Sequence, residues 1–210
     1  IFLTNANEKA QWAAFWAGQD DAPDVSASQV GYVSQGARDP DALVAEVAKI
    51  VATDVRALGI VAIEVDKIMH SALGLADHHD RVRRLASEPI ARVVDCLVGA
   101  GFTTFITADH GGVEVTGSGF SPRGGVTTTS KGSRVVAFKS EALRSAAMGE
   151  AGAADMPECI PWASRIRDDY CPLFPPARLT FGSAKGRAEV THGGIMLQEV
   201  VVPFVRVDPR

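Results

Sequence analysis

Cysteine is scarce in this chain, and so are long apolar runs and any excess of positive charge. Each shortage closes off a class of protein. The three cysteines, Cys96, Cys159 and Cys171, lie far apart and form no CxxC pair. Their number is odd, so neither a cysteine zinc site nor a disulfide framework is written here. Cys96 falls in a helical pattern and reads as a small buried hydrophobe. Such usage suits a reducing, cytoplasmic compartment. No apolar run approaches the roughly 20 residues of a membrane span. The formal net charge of -4 gives no global basic signature of a nucleic-acid binder. That leaves a local basic groove as the route to such a ligand. Internal repeats and long low-complexity stretches are missing too. The opening Ile1-Phe2-Leu3-Thr4-Asn5 has no initiator Met and no basic leader, and reads like the interior of a protein. The expectation is a fragment of a longer chain.

What is present is ordinary globular material. The 210 residues, 46% apolar and 22% charged, suffice for one domain with a sizeable core or a large piece of a bigger one. Glu8 to Ala17, with Trp12, Phe15 and Trp16, suits a short helix with an aromatic face. Asp20 to Ser28 reads as a loop, and Gln29 to Ser34 as a short strand. A helix follows, with Asp39 as N-cap and Pro40 at the first helical position. Its apolar positions run from Leu43 to Leu58, and Gly59 ends it. Ile60 to Val65 reads as a buried strand. Asp80 to Gly99 returns to helical periodicity, with Pro89 kinking or dividing it. Phe102 to Thr107 reads as a second strand. This alternation predicts an α/β fold with a largely parallel sheet flanked by helices. Gly112 to Gly132 reads as a long loop. Met148 to Pro176 reads as irregular chain. Further strands are expected at Ser133 to Phe138, Arg178 to Phe181 and Val200 to Val207.

Three histidine-bearing segments carry chemistry. Asp66-Lys67-Ile68-Met69-His70 follows the strand Ile60 to Val65. Residues four apart share a face if the segment turns helical, and a carboxylate with a neutral imidazole can hold one divalent ion. Thr107-Ala108-Asp109-His110-Gly111-Gly112 follows the strand Phe102 to Thr107, and its glycines allow the backbone angles of a sharp turn. Thr191-His192-Gly193-Gly194 precedes the run Ile195 to Glu199. Taken singly, each also fits a bland account: a capping Asp, a polar turn, a hairpin with an incidental His. Functional groups of open α/β sheets cluster beyond strand ends, and all three segments are placed there. His78 and His79 read as a solvated entry to the helix that starts near Asp80.

Together the segments run in the order Asp-xxx-His, Asp-His, His. That is the ligand order of the C-terminal half of the alkaline phosphatase superfamily. The text Phe105-Ile106-Thr107-Ala108-Asp109-His110-Gly111, with Thr191-His192-Gly193-Gly194 through Pro203, resembles the PglZ family in particular. The resemblance is strong over Ile60 to Val207 and weak before Gln29. It implies an alkaline-phosphatase-like fold, truncated at the N-terminus, with residues 1–210 as the C-terminal portion of a single domain. It implies two divalent metal ions, zinc or manganese. Asp66, His70 and His192 would hold one ion, and Asp109 and His110 would help hold the other. The family's nucleophile and its strand-end Asp have no convincing equivalents between Ile1 and Asp41. The chain alone is therefore expected to be inactive. Lys131 and Arg134, flanking the Gly-Ser-Thr loop, are candidates to bind substrate phosphate.

The resemblance further implies a phosphatase or phosphodiesterase acting on a phosphoester, with nucleotides or nucleic acid in range. Its setting would be a bacterial phage-defence system of the phage growth limitation or BREX type, with other defence proteins as partners and no membrane association. Two rival readings remain at this point. One is a non-catalytic interaction module, and the other is phosphoglycerate mutase-type chemistry on a small metabolite.

Overall fold

A computed structural model describes residues 7–17, 25–35, 40–123, 125–127, 133–150, 158–163 and 167–209. In chain order the elements are α1 (Glu8–Ala17), β1 (Val30–Gln35), α2 (Pro40–Val51), β2 (Ala57–Ala62), α3 (Glu64–Ser71), α4 (Leu75–Leu85), α5 (Ala91–Gly99), β3 (Thr104–Thr107), β4 (Val113–Gly117) and β5 (Val126–Thr127). Then come β6 (Val136–Phe138), α6 (Glu141–Glu150), β7 (Ile160–Pro161), β8 (Cys171–Phe174), β9 (Leu179–Thr180), β10 (Ala188–Thr191), α7 (Leu197–Val200) and β11 (Phe204–Val207). No helix among the described residues is long and apolar enough to cross a membrane. The chain divides into two compact units. One is Ile1–Ile68, Asp80–Ile106 and Val205–Arg210, and the other is Met69–His79 and Thr107–Phe204.

In the first unit β1 and β2 run parallel, in register from Val30↔Ala57 to Gln35↔Ala62. Parallel neighbours need a crossover, and α2 supplies it. Leu43 and Val47 lie one helical turn apart on α2 and are buried with Val33, Val93 and Leu97. Full burial of each such side chain stabilises by about 1.5–3 kcal/mol. The indole N–H of Trp12 on α1 donates to the Gly31 carbonyl at 3.0 Å. The Tyr32 hydroxyl donates to Glu8 at 2.6 Å. Burial, and then the Glu8 carboxylate, push the Tyr32 hydroxyl up to about 12. Between α4 and α5 the chain makes a π-helical turn, Ala86–Ile90, that contains Pro89. The wider turn accommodates a residue that has no N–H to give and whose ring crowds the preceding turn.

The second unit holds two small sheets, ordered β10-β4-β9 and β5-β6-β8-β7. Strand β4 is antiparallel to β10 and parallel to β9. The core gathers Val136, Phe138, Ala147, Cys159, Cys171, Leu173 and Phe181. A bridge between Ser133 and Phe181 approaches this core from β9. Burial pushes the Cys159 thiol up to about 11, which keeps it protonated and inert.

The architecture is mixed α/β, but the expected large parallel sheet is not there. Among the described residues the sheets are small. Parallel pairing at β1–β2 and β4–β9 is joined by antiparallel pairing at β4–β10, β5–β6, β6–β8 and β7–β8. Strands of two to five residues give too short a run for an alternating pattern to declare itself. So β4 was hidden in the expected loop Gly112 to Gly132, and β8 in the expected irregular stretch. Helix α2 stops at Val51, and Leu58 belongs to β2. The strand expected at Ile60 to Val65 runs from Ala57 to Ala62 instead, and it stops short of Val65 because α3 begins at Glu64, with Glu64 and Asp66 in its first turn, where carboxylates suit the helix dipole. His78 and His79 lie inside α4 rather than ahead of a helix. Asp39 and Lys131 fall outside the described residues.

Candidate metal centre

Local structure delivers each histidine. Helix α3 starts two residues after β2, so Asp66 and His70 stand one turn apart on one helix. The Asp66 carboxylate lies within 4.8 Å of a His70 ring nitrogen. His110 follows the end of β3 by three residues, and His192 directly follows β10. The left-handed backbone at Gly193, with φ of 97°, turns the chain away after His192.

In the second unit the imidazoles converge. The His110 and His192 rings stack with centroids 3.8 Å apart and planes 4° from parallel. The His70 ring centroid is 6.0 Å from that of His192, and their ligand nitrogens lie within 4.8 Å. The Asp109 carboxylate accepts the His110 backbone N–H at 3.0 Å and lies 3.6 Å from His110 Nε2. Its side chain is otherwise 81% exposed. A tetrahedral ion with bonds of about 2 Å places its donors roughly 3.3 Å apart. Small rotamer changes therefore close the distance between the His70 and His192 nitrogens. Two imidazole nitrogens and a carboxylate oxygen form a donor set suited to zinc, and carboxylate donors also accept manganese.

Arg134 is not free to be the phosphate ligand that the sequence suggests. Its side chain is buried in the second unit and is committed to protein partners. Nε and Nη2 donate to the two Glu199 oxygens, each at 3.0 Å, and Nη1 donates to the Leu179 carbonyl. A guanidinium 2% exposed, with both edges engaged, is not presented to a phosphate. Lys131, the other expected phosphate ligand, lies outside the described residues.

Glu199 was assigned no role from the sequence, yet it ties the site together. Its carboxylate accepts the Gly194 N–H at 2.8 Å and the Met196 N–H at 3.2 Å. Its carbonyl accepts the Gly111 N–H at 2.9 Å. Burial pushes the carboxyl up, but the Arg134 guanidinium and the two backbone donors outweigh it and hold Glu199 below the usual carboxylate range. The available signal was a single acid in the apolar run Leu197 to Val202, three residues after Met196, where a Glu side chain reaches back to a helix's first N–H.

Residues 3–207, essentially the whole chain, match a family model described as the BREX system PglZ alkaline phosphatase-like domain. The match starts well ahead of Ile60, where the motifs alone carry the resemblance. No curated protein matches the chain.

Proposed function

The chain belongs to the PglZ family of alkaline phosphatase-like domains, and from that premise we propose that it is a metal-dependent phosphatase or phosphodiesterase domain of a bacterial phage-defence system. The observation that supports this reading most is the gathering of His70, His110 and His192 from three segments distant in sequence, with Asp109 beside His110 and Asp66 one turn from His70.

Asp66, His70 and His192 would hold one divalent ion, and Asp109 and His110 would contribute to a second. Paired ions in such a centre stabilise the attacking and leaving oxygens of an in-line displacement at phosphorus. The protein's share of the work is orientation. Helix α3 fixes the Asp66-to-His70 spacing. The stack of His110 on His192 fixes the angle between two ring planes, so the donors meet an ion without searching for it. Asp109, largely exposed and bonded through one oxygen to the His110 N–H, keeps its other oxygen beside His110 Nε2. No nucleophile is assigned among these residues. The substrate is a phosphoester, with nucleotides and nucleic acid in range.

The test uses the native protein isolated from its host. Chelation abolishes hydrolysis of a generic aryl phosphodiester, and zinc or manganese restores it. His192→Ala lowers the rate and is partly rescued by excess metal, because one of three donors is lost. A folded His192→Ala protein with full activity and no added metal would overturn the reading and leave an interaction module as the better account.

A further inference from the structure

We infer that Arg134 and Glu199 are positioning residues that clamp the His110 turn to the His192 turn. The inference rests on the metal-centre reading for its purpose but on hydrogen bonds for its substance. Glu199 holds both turns at once. Its side chain takes the Gly194 N–H, two residues beyond His192, and its carbonyl takes the Gly111 N–H, next to His110. Arg134 orients that carboxylate through two parallel bonds of 3.0 Å, and its own direction is set by the Leu179 carbonyl. A bidentate guanidinium–carboxylate pair fixes angle as well as distance, which a single ammonium could not.

The surrounding chain is shaped to this pair. A Cβ at Gly194 would lie 2.4 Å from Glu199 Oε2 and 2.8 Å from Arg134 Nε. A Cβ at Gly111 would lie 2.0 Å from the Gln198 carbonyl oxygen, where α7 presses on the turn. Glycine at both positions lets the two turns close onto the clamp. The stacked His110 and His192 rings, 3.8 Å apart, are the outcome of that closure. A buried ion pair is weak evidence of stability, since well-packed apolar residues often replace one at no cost. Here its bonds run to the two turns, so its loss is felt at the histidines.

The experiment uses the whole chain with cobalt(II) as the optical probe. The variants are Glu199→Gln, Arg134→Lys and the apolar pair Arg134→Met with Glu199→Leu. Cobalt affinity is read by absorbance, the Gly111 and Gly194 amides by hydrogen exchange without metal, and the fold by circular dichroism. In variants that stay folded, affinity falls roughly 10–100-fold, as for other residues that orient metal ligands. The Gly111 and Gly194 amides also exchange faster than those of the β6–β8 core. A folded Glu199→Gln or apolar-pair protein with wild-type affinity and wild-type protection at both glycines would overturn the clamp. Should those two fail to fold, Arg134→Lys, which keeps the charge, decides by the same readouts. If wild type takes up no cobalt, the metal reading falls while the exchange rates still decide the clamp.

Discussion

The atom nearest to a Cβ built on Gly111 is a backbone oxygen, that of Gln198 at 2.0 Å, and backbone cannot swing aside as a side chain can. Gly111→Ala therefore forces the His110 turn off α7. The expected loss is about 1–3 kcal/mol, the usual cost of overpacking, read by urea denaturation. Gly99 offers the control. It closes α5 with nothing within 4 Å of its would-be Cβ, so Gly99→Ala should be neutral or stabilising by up to about 1 kcal/mol. Equal effects at both sites would refute the close approach. At the histidines, His192→Ala should weaken zinc binding by more than about 100-fold, beyond what supporting residues typically cost. His79→Ala, on the exposed side of α4, should leave it unchanged, and isothermal titration separates the two. The candidate donors drew notice in the sequence because Asp66-xxx-His70 and Asp109-His110 each follow an apolar run, while His192 is framed by Thr191 and two glycines. The role of Arg134 was not, because sequence shows that a residue is charged and not which way its side chain turns.

Helix α7 has four residues, Leu197–Val200, far too few to hold themselves helical in water. Glu199 supplies the missing stability, and it does so as a carboxylate. Its proton affinity is depressed in the folded chain. The sign is that of a lowered acid. Its contribution is complete above the ordinary glutamate pKa of about 4.3 and is lost as pH falls through the depressed folded value. Stability measured by urea from pH 7 to pH 3 should decline over that acidic range, and Glu199→Gln should decline less steeply over the same range. Parallel slopes would count against the clamp as a source of acid sensitivity. Elements this short explain the partial legibility of the fold. Helices α1 and α5 announced themselves through apolar spacing over several turns. Strand β4 alternates over only the five residues Val113–Gly117, and helix α7 spans only Leu197–Val200, so neither offers a run long enough to stand out.

Across the molecule, two separate cores imply two separable responses. Leu43 is buried with Val47 and Val93, and Leu173 with Val136 and Phe181. Truncating either to alanine should cost roughly 2–5 kcal/mol. Hydrogen exchange should show protection lost first in the unit that carries the change. Loss spread evenly over both units would argue for one cooperative block. The order of residues along the chain has a consequence of another kind. Asp66, His70, Asp109, His110 and His192 all precede Glu199, and Arg134 precedes it by 65 positions. A chain growing from its N-terminus thus displays these five candidate donors before the residue proposed to align them has been made. Until then Arg134 has no carboxylate to meet, and joining two points so far apart costs chain entropy that only late contacts recover. An aligned centre therefore waits until Glu199 has been made, and a chain released before it would carry the five candidate donors without the means to align them.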